Sequence, residues 1–330
     1  MTDTTEYVEH PCTLATHGWN IPAALTLPAS GDVASAILLI PGSLYSDVNG
    51  DYPSWNSFPH VYAHLARQLS AHGHAVYRFA KLGPGTGSVA TDPDVSPTVR
   101  DWGGRLRIAT AALDAMRQEL EARDVHVDRV IGAGHSEGSV VVSQLATSDR
   151  GSELDGVVLL AGPSVGLLGI MREQVGVMTP PNEIAEATRR LDEVIAYIRR
   201  GEPVPAEFAA GPPSGATALA TMPDEGRRYM RETDATDPTA LAAVMRQSVL
   251  VVQGGADSSV PTHHGERLRD ALLARNGEAT TEYLFVPEVS HMFKVVPPEV
   301  TGPAAFGYPG QIDPRVPAGI DQWVRTITTR

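Results

Sequence analysis

Residues Gly134-His135-Ser136-Glu137-Gly138 constrain this chain more than any other stretch. An apolar, β-branched run over 127–133 precedes them, and a helix-like run over 139–146 follows. A G-x-S-x-G pattern between a strand and a helix predicts a sharp turn that lifts the serine hydroxyl to a helix N-terminus, a nucleophile elbow. The flanking glycines allow the close backbone packing that such a turn needs. The helix N-terminus favours negative charge that develops beside it.

The pattern of apolar residues around this motif predicts repeated strand–helix units. Residues 12–28 alternate and read as an antiparallel hairpin. Residues 36–40 are a short continuous apolar run, as expected of a strand buried on both faces, and 75–79 read as the next strand. Helices are expected over 54–71 and 98–122, and a further buried strand over 156–162. The alternation then breaks. Residues 163–235 hold helix-like pieces, 184–200 among them, and a Pro- and Ala-rich loop over 202–215, without a buried strand. Strand signals return at 248–255 and 282–286. Helices are expected at 262–275, stopped by Asn276-Gly277, and at 314–327. The fold class is therefore α/β: a mostly parallel eight-stranded sheet with helices on both faces. Residues 1–162 and 236–330 form the two parts of its core, and 163–235 a mostly helical cap or lid.

A serine hydroxyl needs a histidine to accept its proton, and the histidine needs an acid to orient it. With an elbow, the chain order is serine, acid, histidine. Asp257 follows the 248–253 strand through Gly254-Gly255-Ala256, in a turn at the carboxyl end of that strand. His291 lies in a loop shortly after the last strand. His263 and His264 come too early in this order, and His135 reads as a packing residue of the elbow. The expected triad is Ser136, Asp257 and His291. The oxyanion would be held by the backbone N–H groups of Glu137 and Ser43, with Leu44 as the alternative to Ser43. The Glu137 side chain either contacts substrate or stands exposed beside the serine; the sequence leaves both open.

The formal net charge of −13 argues against nucleic acid and anionic membranes, which both need clustered Lys and Arg. Cys12 is the single cysteine, so no intramolecular disulfide forms. No basic N-terminal region precedes an apolar run, and no stretch approaches the ~20 apolar residues of a membrane span. A cytoplasmic enzyme with a small-molecule substrate, no cofactor and no metal is expected, and a homodimer is left open. Asp47 to Asp51 begins like a calcium loop but lacks glycine at the sixth position (Tyr52) and a carboxylate at the twelfth (Phe58).

Together these residues resemble the α/β-hydrolase superfamily over nearly the whole chain apart from the insertion. More narrowly, the chain is similar to bacterial serine hydrolases of the esterase, dienelactone-hydrolase-like and serine-aminopeptidase-like group. Many of those carry Gly-Ser-Gly-Pro-x-Asp-x-x-Gly after the third strand. Gly42, Ser43, Asp47 and Gly50 match it, while Leu44 and Tyr45 replace Gly-Pro. After the fourth strand relatives often carry Tyr-Asp-Lys-Arg-Gly-x-Gly-x-Ser. Here the Asp and Arg become Ala80 and Leu82, which implies a lost ionic contact on the site floor and a more apolar pocket. The breadth of that group and the apolar pocket together point to a serine hydrolase cleaving an ester or thioester of a small to medium, fairly apolar substrate; no substrate is carried over from the family. The alternative is a non-hydrolytic enzyme of the same fold, a cyclase, dehydratase or acyltransferase. Leu44, Tyr45, Met171, Met178 and Met292 are the expected substrate-binding residues.

Overall fold

In the computed structural model, residues 6–92, 94 and 100–327 are described. The chain opens with an antiparallel hairpin, β1 (Tyr7–Thr16) and β2 (Trp19–Pro28), registered from Tyr7↔Pro28 to Thr16↔Trp19. His17 and Gly18 take φ of 47° and 77°, the left-handed pair that a two-residue turn needs to match the twist of its strands. Next come β3 (Ser35–Ile40), α1 (Val61–Ala71), β4 (His74–Phe79) and the two-residue β5 (Val89–Ala90). They are followed by α2 (Trp102–Glu121), β6 (Val130–His135), α3 (Glu137–Thr147) and β7 (Gly156–Leu160). The helices α4 (Leu167–Met178), α5 (Ile184–Arg200), α6 (Gly215–Thr221) and α7 (Asp224–Asp234) form an insertion. The chain then returns through α8 (Pro238–Val244), β8 (Ser248–Gly254), α9 (Thr262–Leu273), β9 (Thr281–Val286), α10 (Gly302–Phe306) and α11 (Arg315–Thr326).

The eight expected strands lie in the order β1-β2-β4-β3-β6-β7-β8-β9, and β5 pairs with β2 as a short extra strand. From β4 to β9 every neighbouring pair is parallel. Their carboxyl ends share one edge, because Ile40 pairs with Gly134 and His135 with Leu160. The strands β3, β4 and β7 are buried at every residue, which explains the apolar runs of β3 and β7; β4 buries His74 and Arg78 as well. One apolar core fills the face covered by α2, α3 and α9, with Leu113, Met116, Val141 and Leu268. A second fills the face covered by α1 and α11, with Leu65, Leu69, Ile320 and Trp323.

Two helices start later than the sequence suggests. In place of a helix over 54–71, a single 3-10 turn (Pro53–Trp55) precedes α1, which begins at Val61. Pro59 disfavours helical backbone at Phe58, and His60 is left-handed at φ 51°. The helix expected from 98 begins at Trp102, where the Asp101 carboxylate accepts from Gly104 N at 2.7 Å; positions 98 and 99 lie outside the described residues. At the other end, α9 stops at Leu273, ahead of the Asn276-Gly277 signal.

The insertion has an apolar core of its own, built on Leu168, Leu191, Val194, Ile195, Ile198, Leu219 and Met230. The α5 helix buries Leu191, Val194, Ile195 and Ile198 along one stripe and shows paired Arg189, Glu186 and Glu193 to solvent. Leu191→Ala is expected to cost about 2–5 kcal/mol through the cavity it leaves. Hydrogen exchange should rise across 167–230 before it rises in the central strands. Equal protection in wild type and variant would show that this core is not what holds the insertion.

Candidate active site

The β6 strand ends at His135, and Ser136 follows with φ 55° and ψ −122°. That backbone is strained for a residue with a side chain, by about 1–3 kcal/mol. The neighbours over-determine it. Ser136 N donates to Leu160 O at 2.8 Å, tying the turn to the end of β7. A Cβ on Gly134 would lie 2.1 Å from Gly138 O, and one on Gly138 would lie 2.4 Å from Ile40 O. The helix can therefore approach β6 and β3 only with glycine at both positions.

Asp257 and His291 meet at the same end of the sheet. His291 Nδ1 lies 2.8 Å from Asp257 Oδ2, and the Asp257 side chain is fully buried. The other carboxylate oxygen accepts from Ser259 N at 2.9 Å and Val260 N at 2.8 Å. Both carboxylate oxygens are thus engaged, and the Nδ1–H tautomer of His291 is fixed. Its Nε2 has no protein partner among the described residues, and Ser136 and His291 line one cavity. The competing histidines sit elsewhere. His264 is buried against Ser164, and both His263 and His264 face Glu173 of α4. Those three groups are close enough to hold a cation. Ser164 N donates to His264 Nδ1 at 3.2 Å, however, so His264 Nε2 carries the proton and donates to Glu173. The pair also sits at the N-terminus of α9, whose dipole opposes a cation. The contact reads as a clasp between α4 and α9.

His135 has the structural place that the sequence suggests. Its Nε2 faces the His291 carbonyl at 3.0 Å, and its Nδ1 faces Tyr62 OH at 3.2 Å. A carbonyl only accepts, so Nε2 carries the hydrogen and Tyr62 donates to Nδ1. Tyr62 in turn accepts from Gly42 N at 2.8 Å. One hydrogen-bonded line thus runs from the loop after β3, beneath the elbow, to the His291 loop. Burial, with the neighbouring His291, pushes His135 down to about 3, so it stays neutral. With Gly42 N used in this way, the N–H groups of Ser43, Leu44 and Glu137 are the ones left without a protein partner among the described residues.

The Glu137 side chain overturns the exposed reading, because it is buried and paired. Its Oε1 accepts from Lys81 Nζ at 2.9 Å and Tyr229 OH at 2.7 Å, with Arg105 Nε at 3.3 Å. Its Oε2 accepts from Ser43 Oγ at 3.3 Å. Arg105 also donates to Pro41 O at 2.5 Å. Burial alone would raise the Glu137 carboxyl, but the two cations and the hydrogen bonds outweigh it and hold it down to about 2. Burial lowers the Lys81 ammonium to about 8 even though Glu137 pulls the other way. Ala80 and Leu82 bring no charge, but the floor is not apolar: Lys81 and Arg105 pair there with Glu137. Sequence reasoning missed this contact because Lys81, Arg105 and Glu137 come from three distant segments. Lys81, one position from each of the two replaced residues, was the available signal.

A cavity of about 1620 Å³ opens above these groups, mostly apolar, between the sheet edge and the insertion. Leu44, Tyr45, Met171 and Met178 line it as expected. Met292 does not. It is fully buried in the core under α1 and α11, because the tight turn at Ser290–Phe293 sends His291 to the cavity and its neighbour inward. Asp47 takes up a local turn, accepting from Asn49 N and Asp51 N.

A family model described as the alpha/beta hydrolase family matches residues 37–300. The chain belongs to that family. Among solved structures, this α/β-hydrolase is similar to a soluble variant of monoglyceride lipase from Saccharomyces cerevisiae, with a TM-score of 0.58 and 14% identity over 100% of this chain and 98% of that one. It is also similar to carboxyl esterase 2 from the fungus Tuber melanosporum, at 0.56 and 15% over 99% and 89%. A third is proline iminopeptidase from Mycobacterium smegmatis, at 0.52 and 16% over 96% and 98%. At these identities the likeness is one of fold. No curated protein matches the sequence. No helix among the described residues is long and apolar enough to cross a membrane.

The charge network makes a prediction of its own. Glu137→Gln leaves Lys81 and Arg105 buried without their counter-ion, at a cost of about 3–5 kcal/mol near pH 7. Because the folded carboxyl is lowered from 4.5 to about 2, its contribution is complete above pH 4.5 and is lost as pH falls toward 2. The stability gap between wild type and variant, measured by urea unfolding, should narrow across that window. A gap independent of pH would contradict the ionised Glu137.

Proposed function

We propose that this α/β-hydrolase is a serine esterase acting through an acyl-enzyme, with Ser136 as nucleophile, His291 as base and Asp257 as the acid that orients it. The observation that carries this reading is the 2.8 Å His291–Asp257 contact, in a cavity shared with a serine held at an elbow. In the reaction, Ser136 Oγ attacks the ester carbonyl and its proton passes to His291 Nε2. The imidazolium that forms is stabilised by the Asp257 carboxylate. The tetrahedral oxyanion accepts from the N–H groups of Glu137 and Ser43. His291 then protonates the leaving alcohol. A water repeats the sequence and releases the acid.

The Glu137 carboxylate, one residue from the nucleophile, would by itself oppose the oxyanion. Lys81 and Arg105 reverse the sign of the local field. The cavity exceeds the ~300–1,000 Å³ of most ligand pockets, which leaves room for a long acyl or alcohol part. In this reading the insertion is a lid whose apolar α4 face, with Met171 and Met178, sets specificity.

The test is release of p-nitrophenol from acetyl, butyryl and octanoyl esters. The expected result is kcat/KM rising with chain length. Ser136→Ala and Asp257→Asn should lower kcat by about 10³-fold or more. Met171→Asp should raise KM on the octanoyl ester more than on the acetyl ester. Activity that survives Ser136→Ala would rule the mechanism out.

A further inference from the structure

The floor of the cavity carries more buried positive charge than it neutralises. Lys81 and Arg105 are both buried, and Glu137 is the one carboxylate among the described residues that pairs with either. Tyr229 OH donates to Glu137 and brings no negative charge, since burial and Glu137 raise its phenol well above the usual range. The acids elsewhere on the cavity wall, Glu183, Glu186 and Glu225, are exposed on the insertion, where solvent screens them. Arg105 Nε makes no hydrogen bond, although it lies 3.3 Å from Glu137. Lys81 has three donors. One goes to Glu137 Oε1 and a second, at 3.4 Å, to Tyr229 OH.

We propose that Lys81, backed by Arg105, is an anion subsite beside Ser136, and that the preferred substrates are esters carrying a free carboxylate. This deepens the esterase reading and rests on it. An isolated buried cation in an apolar wall is costly, and so is a carboxylate stripped of water; each offsets the other when they hydrogen-bond. A single carboxylate matches the surplus of one charge, whereas a phosphate monoester would overshoot it. The groups facing Lys81 are Glu137 from α3, Arg105 from α2 and Tyr229 from α7. Glu137, held near 2, and Tyr229, raised well above its usual range, do not change charge between pH 7 and 9. Lys81, lowered to about 8, does change charge in that interval.

The experiment measures kcat/KM at pH 7 for the monoethyl esters of succinic, glutaric and adipic acids against ethyl butyrate, pentanoate and hexanoate. A second series places the carboxylate on the alcohol, as butyrate esters of glycolate and 4-hydroxybutyrate against ethyl and butyl butyrate. At least one carboxylate ester should exceed its neutral counterpart by about tenfold or more. That ratio should fall as pH rises from 7 to 9, survive in Lys81→Arg and collapse toward one in Lys81→Met. Neutral esters cleaved as well as every carboxylate ester would overturn the subsite while leaving the esterase reading intact. A Lys81→Met variant that slows both classes equally would also overturn it, because that is what a purely structural lysine does. No cleavage of any ester would remove the esterase reading, and the subsite with it.

Discussion

The site depends on one strained residue. Ser136 holds a positive φ that nothing in its own chemistry favours, and it does so because three strand ends and a helix leave it no other position. Gly138 presses against the Ile40 carbonyl and Gly134 against Gly138, so β3, β6 and α3 meet without intervening side chains. From that contact the geometry spreads outward. Gly42 lies beside Ser136, Tyr62 binds Gly42, His135 binds Tyr62, and the His291 carbonyl binds His135. The loop bearing His291 is thereby hydrogen-bonded, through His135 and Tyr62, to the loop bearing Gly42 and Ser43. Strain stored at one backbone position is repaid by a rigid surround, a common arrangement where a nucleophile must be held ready.

The second organising element is the buried ionic cluster around Glu137. It joins the residue after Ser136 to the loop after β4 through Lys81, to α2 through Arg105 and to the insertion through Tyr229. Tyr229 also stands edge-on to Trp102 at 5.9 Å, and Trp102 Nε1 donates to Thr236 Oγ1. The α7 end of the insertion is therefore built into the site floor. By contrast, α4 reaches the core through Glu173, which faces His263 and His264, and through Gln174, which donates to Ser259 O. A lid that opens would hinge between these two attachments. Buried ion pairs contribute little net stability and much specificity of arrangement; here the arrangement leaves two cations and one carboxylate beneath the residue that follows Ser136.

Much of this was legible in the sequence. The elbow, Asp257 and His291 could be read because each follows an apolar strand, and chain order and strand position set His291 apart from the ten other histidines. The hairpin, the buried parallel strands and the strand-poor insertion follow from periodicity alone. What was not legible depends on contacts between distant segments. Ser43, Lys81, Arg105 and Tyr229 converge on Glu137 across 148 positions of chain, from Lys81 to Tyr229 for the widest bonded pair, and no local pattern marks them. Ala80 and Leu82 suggested an apolar floor, but a cation between them and another on α2 supply the charge. Met292 was misplaced because residues in a tight turn alternate between cavity and core over a single step. The helix expected over 54–71 failed at Pro59, where a local rule outweighs periodicity.

The most direct test of the account is intact-mass spectrometry after exposure to a fluorophosphonate. The account requires one covalent adduct, located at Ser136 by peptide mapping, absent in Ser136→Ala and strongly slowed in a folded His291→Ala variant. A folded wild-type protein that acquires no adduct, or an adduct at another residue, would contradict the assignment of Ser136 as an activated nucleophile.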